Sequence, residues 1–134
     1  ESDALFAGEM ALVVEDDDDV RRVAIEQMIG LGFSVIEASD GEEALALVEG
    51  LAGIRVVVSD VVMPGLGGWD LARRLRADHP GLAVVLVTGF SREPPGEGLE
   101  DIPVVAKPWQ KRDLVEALTR AMARSERPDA RSGG

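Results

Sequence analysis

Short apolar runs, separated by stretches with helical spacing, set the frame of this chain. Ala11 to Val14 is apolar at every position and runs into the acids Glu15 to Asp19. Val20, Val23, Ala24 and Met28 then fall at helical spacing. The acids before them suit a helix N-terminus, and Gly30 or Gly32 can end that helix. Phe33 to Ala38 predicts a second strand. From Gly41 onward Ala44, Leu45, Leu47, Val48 and Leu51 share one helical face, which closes near Gly50 to Gly53. Ile54 to Val58 is a β-branched run that ends at Ser59-Asp60. Pro64, Gly65, Gly67 and Gly68 predict a loop, and Trp69 to Ala77 is helical in period through Leu71, Ala72 and Leu75. Ala83 to Val87 ends at Thr88-Gly89, and Val104 to Ala106 ends at Lys107-Pro108. Leu114, Val115, Leu118 and Met122 mark a last helix.

Strands that are apolar at consecutive positions are buried on both faces, which requires helices on each side of a parallel sheet. The pattern therefore predicts an α/β fold, a flavodoxin-like doubly wound five-stranded parallel sheet. One unit departs from it. Between Thr88 and Val104 lie Pro94, Pro95, Gly96 and Gly98, so the helix there is expected to be short or replaced by an irregular loop. Residues 1–9 read as a linker, 10–124 as a single domain, and 125–134 as a disordered tail whose one apolar residue is Ala130.

Composition narrows the function. The 134 residues carry 14 Lys and Arg against 25 Asp and Glu, a net charge of −11. Phosphate backbones need clustered Lys and Arg, so no nucleic-acid partner is expected. There is no cysteine, which excludes disulfides and thiolate chemistry, and the single His79 cannot build a histidine metal cluster. No apolar run is long enough to cross a bilayer, and no membrane contact by this domain is expected. The reading is a cytoplasmic domain.

In an open parallel sheet ligands bind beyond the carboxyl ends of the strands. The polar residues that follow the apolar runs are Glu15 and Asp16, Asp60, Thr88 and Lys107. Three carboxylates, a hydroxyl and an amine thus converge on one edge. Carboxylates crowded together repel, and a hard divalent cation such as Mg²⁺ relieves that repulsion while leaving sites for phosphate oxygens. Asp60 suits a nucleophile that forms an acyl phosphate, Lys107 and Thr88 suit the phosphate oxygens, and Glu15 and Asp16 suit the metal.

Val13-Val14-Glu15-Asp16-Asp17, Ser59-Asp60-Val61-Val62-Met63-Pro64-Gly65, Val87-Thr88-Gly89 and Lys107-Pro108-Trp109 resemble, in order, the motifs of the response-regulator receiver family. The resemblance runs from about Met10 to Met122 and is most like receivers fused to hybrid histidine kinases. It implies phosphorylation of Asp60 by a histidine kinase or histidine phosphotransfer domain. It implies Mg²⁺ on Asp16, Asp60 and the backbone carbonyl of Val62, with Glu15 acting through water. It also implies that Thr88 and Lys107 sense the phosphoryl group, and a Lys107-Pro108 bond that is often cis. The isolated domain is then expected to catalyse only its own phosphorylation and dephosphorylation.

The chain departs from the family in three places. The switch aromatic of the fifth strand is Val104, and there is no tyrosine. The Asp-Gly often found after the phosphoacceptor is Gly67-Gly68. The helix before the fifth strand is broken up, so the dimer that the family builds from that helix, the fifth strand and the last helix is not expected, and a monomer is. Two positions that tune hydrolysis in the family are Val62 and Phe90, neither able to orient a water. Asp17 to Asp19 read as a solvated helix start, Trp69 and Trp109 as packing residues, and His79 as a helix-end residue. Two alternatives stay open: a stand-alone or degenerate receiver that binds partners without phosphorylation, and a phosphohydrolase. The second lacks an acid two residues after Asp60, where Val62 stands.

Overall fold

In the computed structural model, which describes residues 5–89, 95 and 97–125, the chain alternates between strand and helix until its last third. The elements are β1 (Met10–Val14), α1 (Asp18–Gly30), β2 (Ser34–Ala38), α2 (Gly41–Gly50), β3 (Ile54–Asp60), α3 (Gly68–Asp78), β4 (Ala83–Thr88), β5 (Val104–Ala106) and α4 (Lys111–Ser125). All strands pair in parallel in the order β2-β1-β3-β4-β5. This is the doubly wound sheet that the apolar pattern predicts.

The alternation of side chains along each strand divides the core into two layers. Ala11 and Val13, Val56 and Val58, Val85 and Val87, and Val105 face α1 and α4, where Ala24, Met28, Leu114, Leu118 and Met122 cover them. Leu12, Val14, Val57, Val84 and Leu86 face α2 and α3, against Ala44, Val48, Leu71 and Leu75. The starts of α1 and α2 are fixed by the acids that precede them. Asp17 caps α1 by accepting from the amides of Asp19 and Val20 at 2.9 and 3.0 Å. Asp40 caps α2 through the amide of Glu43 at 2.7 Å.

No helix lies between β4 and β5 among the described residues. There the chain turns at Gly98, whose φ is +84°, and inserts Leu99 and Ile102 into the α2/α3 layer. Apolar burial without helical hydrogen bonds needs other fastenings, and Asp101 supplies them. Arg76 of α3 donates to both its carboxylate oxygens at 2.8 and 2.7 Å, and Arg124 of α4 pairs with it as well. Pro94 and Phe90 lie outside the described residues.

Two edges of the fold differ from their sequence reading. Residues 5–9, read as part of a linker, lie against the domain: the Phe6 amide donates to the Leu31 carbonyl at 3.0 Å, and its ring stacks on Phe33 with centroids 4.8 Å apart. Ser125, read as the first residue of the tail, is the last of α4. Its hydroxyl is buried and accepts from Arg55 at 2.7 Å. The remainder of the tail lies outside the described residues.

Candidate functional site

The parallel register brings the carboxyl ends of the strands level. Val14 lies opposite Ser59, Asp60 opposite Val87, and Thr88 opposite Ala106. Three polar residues then continue the α1/α4 face of their strands by the same two-residue step: Val13 leads to Glu15, Val58 to Asp60, and Val105 to Lys107. The pleat that buries valines in the core therefore delivers two acids and an amine to one spot at its rim.

Asp16, on the turn into α1, completes the cluster. One oxygen from each of Glu15, Asp16 and Asp60 lies within 4.8 Å of the others. Glu15 is 5% exposed, which is rare for a carboxylate without strong partners. Its Oε1 accepts from Lys107 Nζ at 3.2 Å, its Oε2 from the Asp17 amide at 3.0 Å, and its carbonyl from Arg21 at 2.8 Å. Lys107 also reaches Asp60 Oδ2 at 3.5 Å. One ammonium thus serves two carboxylates, and Asp16 adds a third.

The electrostatics follow from this imbalance. Partial desolvation at the rim raises the Asp16 carboxyl above its usual range, and hydrogen bonding of its protonated form to Glu15 and the charges of Glu15 and Asp17 raise it further. Burial works against the charge of Lys107, but the hydrogen bond to Glu15 and the charges of Asp60 and Glu15 outweigh it, so its ammonium is held above the ordinary value. Lys107 is a fixed cation through neutral pH.

The segment after Asp60 is shaped by close backbone approach. The Gly68 amide donates to the Val61 carbonyl at 2.8 Å, and the Val61 amide donates to Val87 at 2.9 Å. A Cβ on Gly68 would collide with the carbonyl oxygen of Asp60 and stand 2.8 Å from the Cα of Val61. The glycine is what lets α3 start directly behind the acid. Val62 is 59% exposed beside the cluster. Thr88 ends β4 one step out of phase with Asp60, and its carbonyl accepts from the Lys107 amide at 2.8 Å. The Lys107-Pro108 bond is cis.

The structure thus gathers Glu15, Asp16, Asp60 and Lys107 into direct proximity and sets Thr88 and Val62 at the margin. Asp17 serves as a cap, and Trp109 packs on the α1/α4 layer. Trp109 has a further role that the sequence did not signal. With Val20, Val23 and Gln27 of α1, Val62 and Pro108, it lines a mainly apolar groove that ends at Asp60 and Lys107. Arg21 also escaped notice, because an arginine three residues after Asp18 reads as a surface helix pair.

The family model for the response regulator receiver domain matches residues 11–119. The chain belongs to that family, and it is a receiver domain of two-component systems. It is 30% identical over 114 residues to the response regulator receiver protein CpdR of Brucella abortus, an alignment covering 83% of this chain and 94% of that protein. It is 42% identical over 83 residues to the sensor kinase CckA of the same species, covering 61% of this chain and spanning only 9% of that protein. Among solved structures, a response regulator receiver protein from Sinorhizobium medicae superposes with a TM-score of 0.79 at 24% identity, over 91% of this chain and 99% of the other. That likeness bears on the fold. Among the described residues no helix is long and apolar enough to cross a membrane.

Proposed function

We propose that this domain accepts a phosphoryl group from a phosphohistidine onto Asp60, with Mg²⁺ held by Glu15, Asp16, Asp60 and the backbone carbonyl of Val62. The observation that carries the reading is the surplus of carboxylate at the sheet edge: three acids within 4.8 Å, with Lys107 as the ammonium between two of them. Oxygen donors in that number suit a hard cation that keeps several waters. When bound, the cation neutralises the phosphoryl oxygens, which otherwise repel the attacking carboxylate.

The chain's own residues do the rest. An Asp60 carboxylate oxygen bonds to phosphorus as the phosphorus–nitrogen bond of the donor breaks, and the histidine nitrogen takes the electron pair. Lys107, kept charged by its acidic neighbours, turns from Asp60 to a transferred phosphoryl oxygen. Thr88, at the end of β4, donates its hydroxyl to another such oxygen. The groove lined by Val23, Val62, Pro108 and Trp109 suits the apolar flank of a helix that carries the donor histidine, on a histidine kinase or a phosphotransfer domain.

The same reading makes the domain a cytoplasmic module, and the run of Pro94, Pro95, Gly96 and Gly98 before β5 favours a monomer over the family's helix-built dimer. The likeness to the sensor kinase CckA supports a place within a hybrid histidine kinase. The match to nearly all of CpdR supports the stand-alone alternative. The test of the chemistry is incubation with acetyl phosphate and Mg²⁺, followed by intact-mass and peptide mass spectrometry. One phosphoryl group on Asp60, and none on an Asp60→Asn variant, is expected. Full labelling of that variant would overturn the assignment.

A further inference from the structure

The acidic cluster has a support that lies outside it. Arg21, in the first turn of α1, has a side chain only 15% exposed, and each arm of its planar guanidinium is engaged. One terminal nitrogen donates to the main-chain carbonyl of Glu15 at 2.8 Å. Nε donates to Glu37 Oε1 of β2 at 2.8 Å, and the other terminal nitrogen donates to Asp18 Oδ1 at 2.6 Å. A single side chain therefore joins the end of β1, the neighbouring strand and the helix that follows.

The contact with the Glu15 carbonyl has a geometric consequence. In a planar trans peptide the carbonyl and the next amide point in opposite directions. Holding the Glu15 carbonyl toward Arg21 fixes the plane of the Glu15–Asp16 peptide, and with it the direction from which Asp16 leaves the chain. The Glu15 amide is held separately by the Ala38 carbonyl at 3.1 Å, so the residue is pinned at both of its backbone groups. Two ligand-bearing residues are oriented by hydrogen bonds that leave their carboxylates available.

We propose that Arg21 is a positioning residue, whose guanidinium fork sets the Glu15–Asp16 backbone so that both acids face one cation. The proposal rests on the Mg²⁺ reading given above. Charge and positioning make opposite forecasts, which is what makes it testable. Arg21 carries a positive charge near a cation site, so if charge were its only influence its removal would tighten Mg²⁺ binding. If it positions the ligands, its removal weakens binding, as losing an outer partner of a metal ligand does, by roughly tenfold. Lysine keeps the charge but offers no planar fork, and cannot replace the three directed bonds.

The experiment is a calorimetric Mg²⁺ titration of the wild type, Arg21→Ala, Arg21→Lys and Asp16→Asn, each at a temperature where circular dichroism shows it folded. A role confined to fold stability would lower the melting temperature without changing the affinity of the folded protein. The expected result is an affinity loss of roughly tenfold for Arg21→Ala, a smaller loss for Arg21→Lys, and a loss for Asp16→Asn. Affinity unchanged or increased in Arg21→Ala and unchanged in Arg21→Lys, with Asp16→Asn still impaired, overturns the positioning role and leaves the site reading standing. Should only Arg21→Lys fold, its affinity decides by the same criterion. Equal affinity in the wild type and Asp16→Asn, or no binding by the wild type, overturns the site reading and this proposal with it.

Discussion

The two rims of the sheet treat charge in opposite ways. At the amino edge of the strands, Asp101 sits between Arg76 and Arg124, near the ends of α3 and α4, and its carboxyl is held below the usual range chiefly by the Arg76 hydrogen bonds. Arg55 nearby donates to the Ser125 hydroxyl and the Met122 carbonyl, with Glu9 at 3.9 Å. Cations there match or outnumber the acids, and both arginine pairs sit at helix C-termini, where positive charge is favoured. At the carboxyl edge Glu15, Asp16 and Asp60 cluster around a single Lys107 that pairs with Glu15 and Asp60 only, and the Asp16 carboxyl is raised. One rim is a set of fastenings. The other is left short of positive charge, and a protein gains nothing in stability from such an arrangement unless something else binds there.

The comparison can be broken at several points. Gly68→Ala should have the largest effect, because its Cβ would strike the backbone of Asp60 itself. A loss of about 3 kcal/mol in urea unfolding, with impaired labelling of Asp60, is expected. A variant as stable and as readily labelled as the parent would show that α3 has room to retreat.

Asp101→Asn should come next, with a loss of about 1 kcal/mol at neutral pH and intact phosphoryl acceptance. The sign of its pH dependence is fixed by the lowered carboxyl. Stability from this group is complete above the unfolded value of about 3.9 and lost as pH falls through the lower folded value. The gap in melting temperature between wild type and variant should therefore close on acidification through that window. A constant gap would assign the loss to packing of the loop that carries Leu99 and Ile102.

Asp16→Asn should have the smallest effect and the opposite sign. A carboxyl raised in the folded state costs stability as pH climbs from its ordinary value through the raised one. Without divalent cations the variant should be more stable at neutral pH by no more than about 0.5 kcal/mol, because Asp16 is exposed and solvent screens it. A variant less stable than the parent under those conditions would mean that Asp16 holds the fold together.

Much of this was legible because periodicity and parallel topology work together. The runs ending at Val14, Val58 and Ala106 place the next polar residues at one edge, and the two-residue pleat brings Glu15, Asp60 and Lys107 to one face of it. Three features had no local signal. Phe6 stands among acidic and small residues, and its stacking on Phe33 is a contact across 27 positions that no window reveals. Arg21 resembles any helical partner of Asp18 until β2 brings Glu37 beside it. The break between β4 and β5 announced itself in proline and glycine, but not that Leu99 and Ile102 would fill the core in place of a helix, nor that Asp101 would hold them there.

The most direct measurement is the melting temperature with and without Mg²⁺, compared across the two rims. The wild type and Asp101→Asn should both gain stability on adding Mg²⁺, because the cation binds only the folded cluster, while Asp16→Asn and Asp60→Asn should gain much less. A wild type that Mg²⁺ leaves unchanged, or a gain equally large in Asp16→Asn and Asp60→Asn, would contradict the account of the carboxyl edge as a site built for a cation and a phosphoryl group.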